Sequence, residues 1–242
     1  MAALARMLVV WCPDWPVTAA GAPPTRPVAV LHSGRVVGCS AAARAAGVRH
    51  GQRRREAQAC CPGLELVPHD PDRDASAFET VLVVVESLTP RVEAIRPGEC
   101  AFRVRGAVRH HGDEITLAAT VARTVDHALG GGGRCRIGVA DGRFAASLAA
   151  RHGSGAGVGS GPADRHAVIP AGGTAGFLAP FPVAVLERPE LTDMFIRLGL
   201  TTLGHLAVLP RAALAARFGP EGVRAHRLAS GADEYPRASR RP

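Results

Sequence analysis

The sequence predicts an α+β fold: a ferredoxin-like sheet, interrupted early by a small inserted subdomain and followed by an all-helical domain. Three observations carry this. Short apolar runs bounded by turn residues alternate with amphipathic segments in the order strand, insertion, helix, two strands, helix, strand, which is the order of a split βαβ sheet. After AVIPAGG (residues 167–173) the punctuation becomes that of short helices, with turn and cap signals at Gly199, Thr201, Gly204, Pro210, Gly219 and Gly231. Finally, 47% of the 242 residues are hydrophobic, enough to bury a substantial core.

Taken in order, MLVVW (7–11) reads as a strand stopped by Pro13 and Pro16, and VAVLHSGRVVG (28–38) as a hairpin turning at Ser33-Gly34. Ser40 is placed to cap AAARAA, with Gly47 behind it, and QRRREAQAC forms a second short helix ended by Pro62. Together these make a small basic subdomain. From Asp74, the residues Phe78, Val81, Leu82, Val85 and Leu88 recur at helical spacing up to Pro90, so one face packs on a sheet. RVEAI and CAFRVRG flank Arg96-Pro97-Gly98-Glu99 as an antiparallel hairpin. A second amphipathic helix presents Ala118, Val121, Ala122, Val125 and Leu129 before the glycine run 130–133; RCRIGVA is then a strand and GRFAASLAARHG a helix. GSGAGVGSG (153–161) lacks the lysine and Ser/Thr of a phosphate loop and follows a helix, so it reads as a flexible loop. The final EYPRASRRP, with two prolines and three arginines, reads as a linker.

The longest apolar run, VLVVV at 81–85, is far short of the roughly 20 residues of a membrane span. The N-terminus has no small-residue cleavage site. A cytoplasmic protein is expected. The net charge of +8 and pI near 10.3 suit a phosphate-rich partner. All 29 basic residues are arginine, a bias that GC-rich codon usage produces alone, so no arginine is informative by its type. The six cysteines (Cys12, Cys39, Cys60, Cys61, Cys100, Cys135) form no CxxC pair and no zinc-finger spacing with the ten histidines. They are expected to be reduced and mostly buried, and neither a metal nor another cofactor is implied.

Three stretches then carry a family resemblance. SAAARAAGVRHGQ (40–52) resembles the fingers motif S-Y-E-A-R-x-x-G-[IV]-x-x-G-M of the Y-family (UmuC/DinB-like) translesion DNA polymerases. CPGLELVPHD and its following helix lead to VEAIRPGECAFRV (92–104), which corresponds to the family's V-E-x-x-S-I-D-E-A-F-L-D. RIGVADGRFAASLA (136–149) resembles the palm segment S-[IV]-G-[IV]-A-x-N-K-x-L-A-K-x-A. The resemblance implies a palm formed by 1–27 (first strand) and 73–172, inserted fingers at 28–72, a helix-hairpin-helix thumb at 173–233, and a linker at 234–242 to an absent little finger.

The departures from the family bear on function, because such polymerases hold two divalent ions on carboxylates. The family aspartate that ends the first strand aligns with Trp11, whose indole offers no acceptor. The hairpin Asp-Glu pair becomes Gly98-Glu99, and Arg103 replaces a further acid, so Glu99 is the lone remnant. In the triphosphate clamp the tyrosine aligns with Ala41 and the lysine with Ser147, while the arginine remains as Arg44. The resemblance therefore implies no catalytic residue and no bound metal. An alternative is a slipped alignment in which Asp14 joins Glu99 in a rearranged two-carboxylate site.

RLGLTTLGHLAVL and LAARFGPEGVRAHRLASGADEYP resemble the thumb, whose hairpin amides hold DNA phosphates without reading sequence. The first hairpin's Gly-x-Gly is replaced by Glu187-Arg188-Pro189-Glu190-Leu191; a proline donates no amide and a glutamate repels phosphate. Arg211, Arg217, Arg224 and Arg227 are the expected DNA contacts. With WCPDWPVTAA at the start, the pattern is similar to the ImuB branch, the non-catalytic members of the family. That resemblance implies a damage-induced mutasome adaptor that binds DNA and joins the sliding clamp, an ImuA-type protein and a separate error-prone polymerase. Gln52 and Gln58 lack the apolar spacing of a clamp-binding peptide, so those partners are expected to engage regions beyond this chain. An active low-fidelity polymerase and a decayed fragment without a role are the other readings.

Overall fold

The computed structural model describes residues 4–131, 134–153 and 165–233; the expected linker at 234–242 and all but Gly153 of the glycine-rich run 153–161 lie outside the described residues. One sheet has the strand order β5-β6-β1-β7-β8, from β1 (Arg6–Trp11), β5 (Val92–Arg96), β6 (Glu99–Arg103), β7 (Arg136–Asp141) and β8 (His166–Val168). Without the added edge strand β8, this is the ferredoxin-like order. The second sheet, β3-β2-β4, comes from β2 (Val28–His32), β3 (Arg35–Cys39) and β4 (Glu65–Pro68). There β2 pairs antiparallel with β3 and parallel with β4.

The chain divides into two compact units. Residues 11–100 and 124–135 form one. In it the hairpin β2–β3 leads through Ser40, whose Oγ accepts from the Ala43 amide at 3.1 Å, into α2 (Ala41–Ala45) and α3 (Arg54–Cys60). Ala29, Val36, Cys39, Ala43, Val48, Ala57, Cys61 and Leu64 form the core of this inserted piece. Asp70 caps α4 (Pro71–Glu86), which buries Phe78, Val81 and Val85 at helical spacing. A short helix absent from the sequence expectations, α1 (Trp15–Ala19), packs on α4 and starts with proline in its first turn.

Residues 1–10, 101–123 and 136–242 form the other unit. It contains α5 (Val104–His111), most of α6 (Glu114–Ala128), α7 (Arg143–His152) and the terminal helices α8 (Thr174–Leu178), α9 (Pro189–Arg197), α10 (Leu203–Ala207) and α11 (Arg211–Ala229). The expected strand CAFRVRG ends at Arg103, and Val104 already begins α5, so the alternation of apolar and charged residues continues past the sheet. On α7, Ala145, Ala146, Ala149 and Ala150 are buried, and the helix lies so close to β7 that a Cβ on Gly138 would fall 2.1 Å from the Ala146 carbonyl oxygen. Only glycine fits that approach. Arg6 is the charged staple of this unit: its Nε donates to Glu114 at 2.9 Å, Nη1 to Asp141 at 3.2 Å and Nη2 to the Ile169 carbonyl at 2.9 Å. No helix among the described residues is long and apolar enough to cross a membrane.

Candidate functional site

The tip of the β5–β6 hairpin, through Cys100, and the segment from Trp11 hold the expected remnant, within one unit. The Cys12 amide donates to the Gly98 carbonyl at 2.8 Å, which ties that segment to the hairpin tip. Pro97 and Gly98 take the central positions of the turn, and the Gly98 φ of 88° is the left-handed value a type II turn requires at its third residue. A Cβ at Gly98 would lie 2.6 Å from Trp15 Cβ, 3.0 Å from Trp15 Cγ and 3.2 Å from the Cys12 carbonyl oxygen. Trp15 is itself fixed, its indole N–H donating to the Asp74 carbonyl at 2.8 Å and its ring meeting Phe78 edge-on at 5.1 Å. A side chain at position 98 is opposed by backbone conformation and by a buried indole together.

Glu99 is 2% exposed and accepts from Arg96 Nε at 2.9 Å. Burial, with the Glu99 charge next in effect, pushes the neighbouring Cys100 thiol up to about 12, and burial raises Cys12 well above the ordinary thiol range. Both are therefore neutral packing groups at physiological pH. Trp11 is half-buried at the strand end.

Both carboxylate oxygens of Asp14 have partners of their own. The residue sits in the left-handed region at φ 51°, its Oδ1 accepts the Cys39 amide at 3.1 Å, and its Oδ2 pairs with the Arg44 guanidinium, which also donates to the Cys39 carbonyl at 3.1 Å. The structure thus brings Arg44 to Asp14 and Arg96 to Glu99, two separate ion pairs. Sequence reasoning missed Trp15, Arg96 and the Asp14–Arg44 pair. The signal for the last was present in the left-handed tolerance of aspartate after Pro13. Ala41 is exposed at the start of α2; Ser147 on α7 and Arg103 at the end of β6 belong to the other unit. Among the described residues no three His, Cys, Asp or Glu side chains are grouped so as to hold a metal ion.

In the terminal helices, Glu187 occupies a left-handed position at φ 55° and ψ 39°, a conformation glycine adopts without cost, and accepts from Arg151 Nη1 at 3.0 Å. Arg188 pairs with Glu221, which also lies 3.8 Å from Arg224. Of the four expected DNA contacts, Arg211 and Arg217 are exposed, the Arg217 guanidinium lying 5.9 Å from the Phe218 ring centre. Arg224 is exposed but shares Glu221, and Arg227 is half-buried. Gly219, at φ 60° and ψ −149°, breaks α11 before Pro220.

Comparison with known proteins follows the same lines. The profile of the IMS (impB/mucB/samB) family matches residues 22–151, more than half of the chain. DNA polymerase IV of Dehalococcoides mccartyi (strain CBDB1) is 27% identical over 225 residues, covering 92% of this chain and 53% of that protein. Protein ImuB of Caulobacter vibrioides (strain NA1000 / CB15N) is 30% identical over 197 residues, covering 81% and 40%. The chain thus spans about half the length of the curated relatives it matches. Among solved structures, the insertion ternary complex of Dbh DNA polymerase superposes with a TM-score of 0.77 at 18% identity, covering 96% of this chain and 69% of that one. DinB from Sulfolobus solfataricus gives 0.75 at 17%, covering 96% and 68%. The α+β architecture is that of these polymerases, and the chain belongs to the impB/mucB/samB family of Y-family polymerase-like proteins.

Proposed function

We propose that this chain is the polymerase-like part of a non-catalytic adaptor in translesion synthesis and damage-induced mutagenesis, which binds DNA without sequence preference and supports a separate error-prone polymerase. The observation that carries the reading is the hairpin tip. A pair of hard divalent ions needs several carboxylate oxygens held open at a rigid strand end. Here Trp11 offers none, Gly98 has no room for one, and Glu99 is buried against Arg96. The residues present do not fit the two ions.

In this reading 1–27 and 73–172 serve as palm, 28–72 as fingers, and 173–233 as thumb, with Arg211, Arg217, Arg224 and Arg227 touching phosphates and Arg44 a remnant of the nucleotide site. Its partners in this reading are the sliding clamp, an ImuA-type protein and the synthesising polymerase, beside the nucleoid. The relative named Protein ImuB supports the assignment. The relatives named DNA polymerase IV favour a second reading, an active low-fidelity polymerase with a rearranged metal site.

Primer extension separates the two. With Mg²⁺ or Mn²⁺ the purified chain is expected to add no nucleotide to a primer-template while retaining salt-sensitive affinity for it. Template-dependent synthesis that disappears on Glu99→Gln or Asp14→Asn would overturn the adaptor reading. A chain that neither unfolds cooperatively nor binds DNA would overturn both.

A further inference from the structure

Residues 35–60 contain six arginines and one acid, Glu56, so a short stretch holds five of the eight net positive charges of the chain. Arg35, Arg49, Arg53, Arg54 and Arg55, with His50 among them, are all exposed. The fold gathers them. The backbones of Arg35 and Arg53 bridge antiparallel, the Val36 amide donates to the Gln52 carbonyl at 2.9 Å, and the Arg54 amide donates to the Gly34 carbonyl at 3.0 Å. The segment 49–54 is thereby laid along the start of β3, over the buried residues Val36, Val48 and Ala57.

Among the described residues none of these five guanidinium groups has a carboxylate partner. Arg35 and Arg49 donate to backbone carbonyls, of Gly51 at 2.9 Å and of Arg44 and Val48 at 2.6 and 2.9 Å. The nearby acids are engaged elsewhere: Glu56 accepts the Arg53 amide at the start of α3, Glu65 pairs with Arg26, and Asp14 with Arg44. Elsewhere in the chain arginines meet acids, as Arg6 does Glu114 and Arg188 does Glu221. Like charges assembled on a rigid frame without counter-charges are stabilised by an external polyanion, and the planar guanidinium fork matches phosphate oxygens two at a time.

We propose that this face of the inserted subdomain is a second DNA contact, independent of the terminal helices, that grips the phosphodiester backbone. It rests on the DNA-binding part of the reading above. No Phe, Tyr or Trp occurs between residues 28 and 68, so the face lacks the stacking platforms that hold unpaired bases. It therefore recognises phosphate alone, with steep salt dependence and no base preference.

The test is fluorescence anisotropy of the full chain on a labelled duplex with a single-stranded overhang, titrated across salt. For R53Q/R54Q/R55Q the slope of log K against log salt is expected to fall by about 2 to 3, equally on AT-rich and GC-rich DNA. The three side chains are exposed, so the melting temperature should be unchanged; if the triple variant melts early, the single substitutions, each expected to remove about 0.7 to 0.9 of slope, give the same answer. An unchanged slope, with R211Q/R217Q still weakening binding, would overturn this face and leave the adaptor reading standing. No salt-sensitive binding by the unmodified chain would overturn both. Poly-glutamate bound as tightly as DNA, with the same loss in the variant, would assign the face to an acidic protein and overturn the proposal.

Discussion

Two groups of arginine-held carboxylates, one in each unit, use the same chemistry to different ends. In the first, Arg6 gathers Glu114 from 108 residues away and Asp141 from 135 away, and its side chain is only 16% exposed. One cation stitches strand to helix to strand, and Asp141 accepts the Gly172 amide at 2.7 Å besides. In the second, each acid has its own arginine: Glu99 meets Arg96 three residues before it, and Asp14 meets Arg44, which is 48% exposed. Here the pairs neutralise local charge, and the holding together is done by Trp15, Phe78 and the Gly98 turn. The difference separates an ion pair that carries tertiary structure from pairs that satisfy acids locally.

The strongest way to break this comparison is to put an acid at the hairpin tip. Gly98→Asp must take a left-handed backbone and displace Trp15, and is expected to cost about 4 kcal/mol by urea unfolding, as the sum of overpacking and backbone strain. Adding Trp15→Ala should recover the overpacking share, so the double variant is less unstable than the sum of the singles. Metal-dependent synthesis by Gly98→Asp would instead mean that the site had been open. Next in size, Arg6→Ala leaves two partly buried acids without their cation and is expected to cost about 3 kcal/mol in the same measurement. Arg44→Ala removes an exposed partner and is expected to cost less than about 1 kcal/mol. If Arg44→Ala proved as severe as Arg6→Ala, the distinction between the two groups would fail.

The smallest effect concerns pH. His152, edge-on to Phe181 at 5.3 Å, has its pKa lowered by burial first and by the positive charges of Arg151 and Arg136 second. A depressed histidine binds its proton more weakly in the folded state than in the unfolded one. Its contribution is therefore complete above the ordinary value of about 6.5 and is lost as pH falls through the lowered folded value. Melting followed between pH 7.5 and 5 should show a loss well under about 1 kcal/mol after solvent screening, absent in His152→Phe.

Much of the fold was legible. The spacing of Phe78, Val81 and Val85 gave α4, the Ser33-Gly34 turn gave the first hairpin, and Ser40 was the expected cap. The strands β4 and β8 were not, because four and three residues carry too little periodicity, and their parallel partners lie far off in sequence. The start of α5 was missed because Val104 and Gly106 prolong the alternation of β6, and only the end of sheet pairing stops the strand. In the candidate site, the lack of a carboxylate at Trp11 and Gly98 is plain from residue identity. The position of Asp14 could not, since two alignments of a short loop differ by a few residues while a single backbone angle decides which way the carboxylate points.

By itself the sequence determined which groups these positions lack: Trp11, Gly98 and Ala41 carry no carboxylate or phenol and Ser147 no ammonium, and no folding can supply them. It also set the net charge and the hydrophobic periodicity that produce a ferredoxin-like sheet. Only the tertiary structure decided what surrounds these positions. Trp15 fills the space at Gly98, Arg96 holds Glu99, Arg44 holds Asp14, and the arginines along β3 and α3 are left facing outward without acids. The physical reason is range: side-chain chemistry is carried by each residue alone, whereas excluded volume and charge pairing depend on neighbours that the chain brings together only by folding.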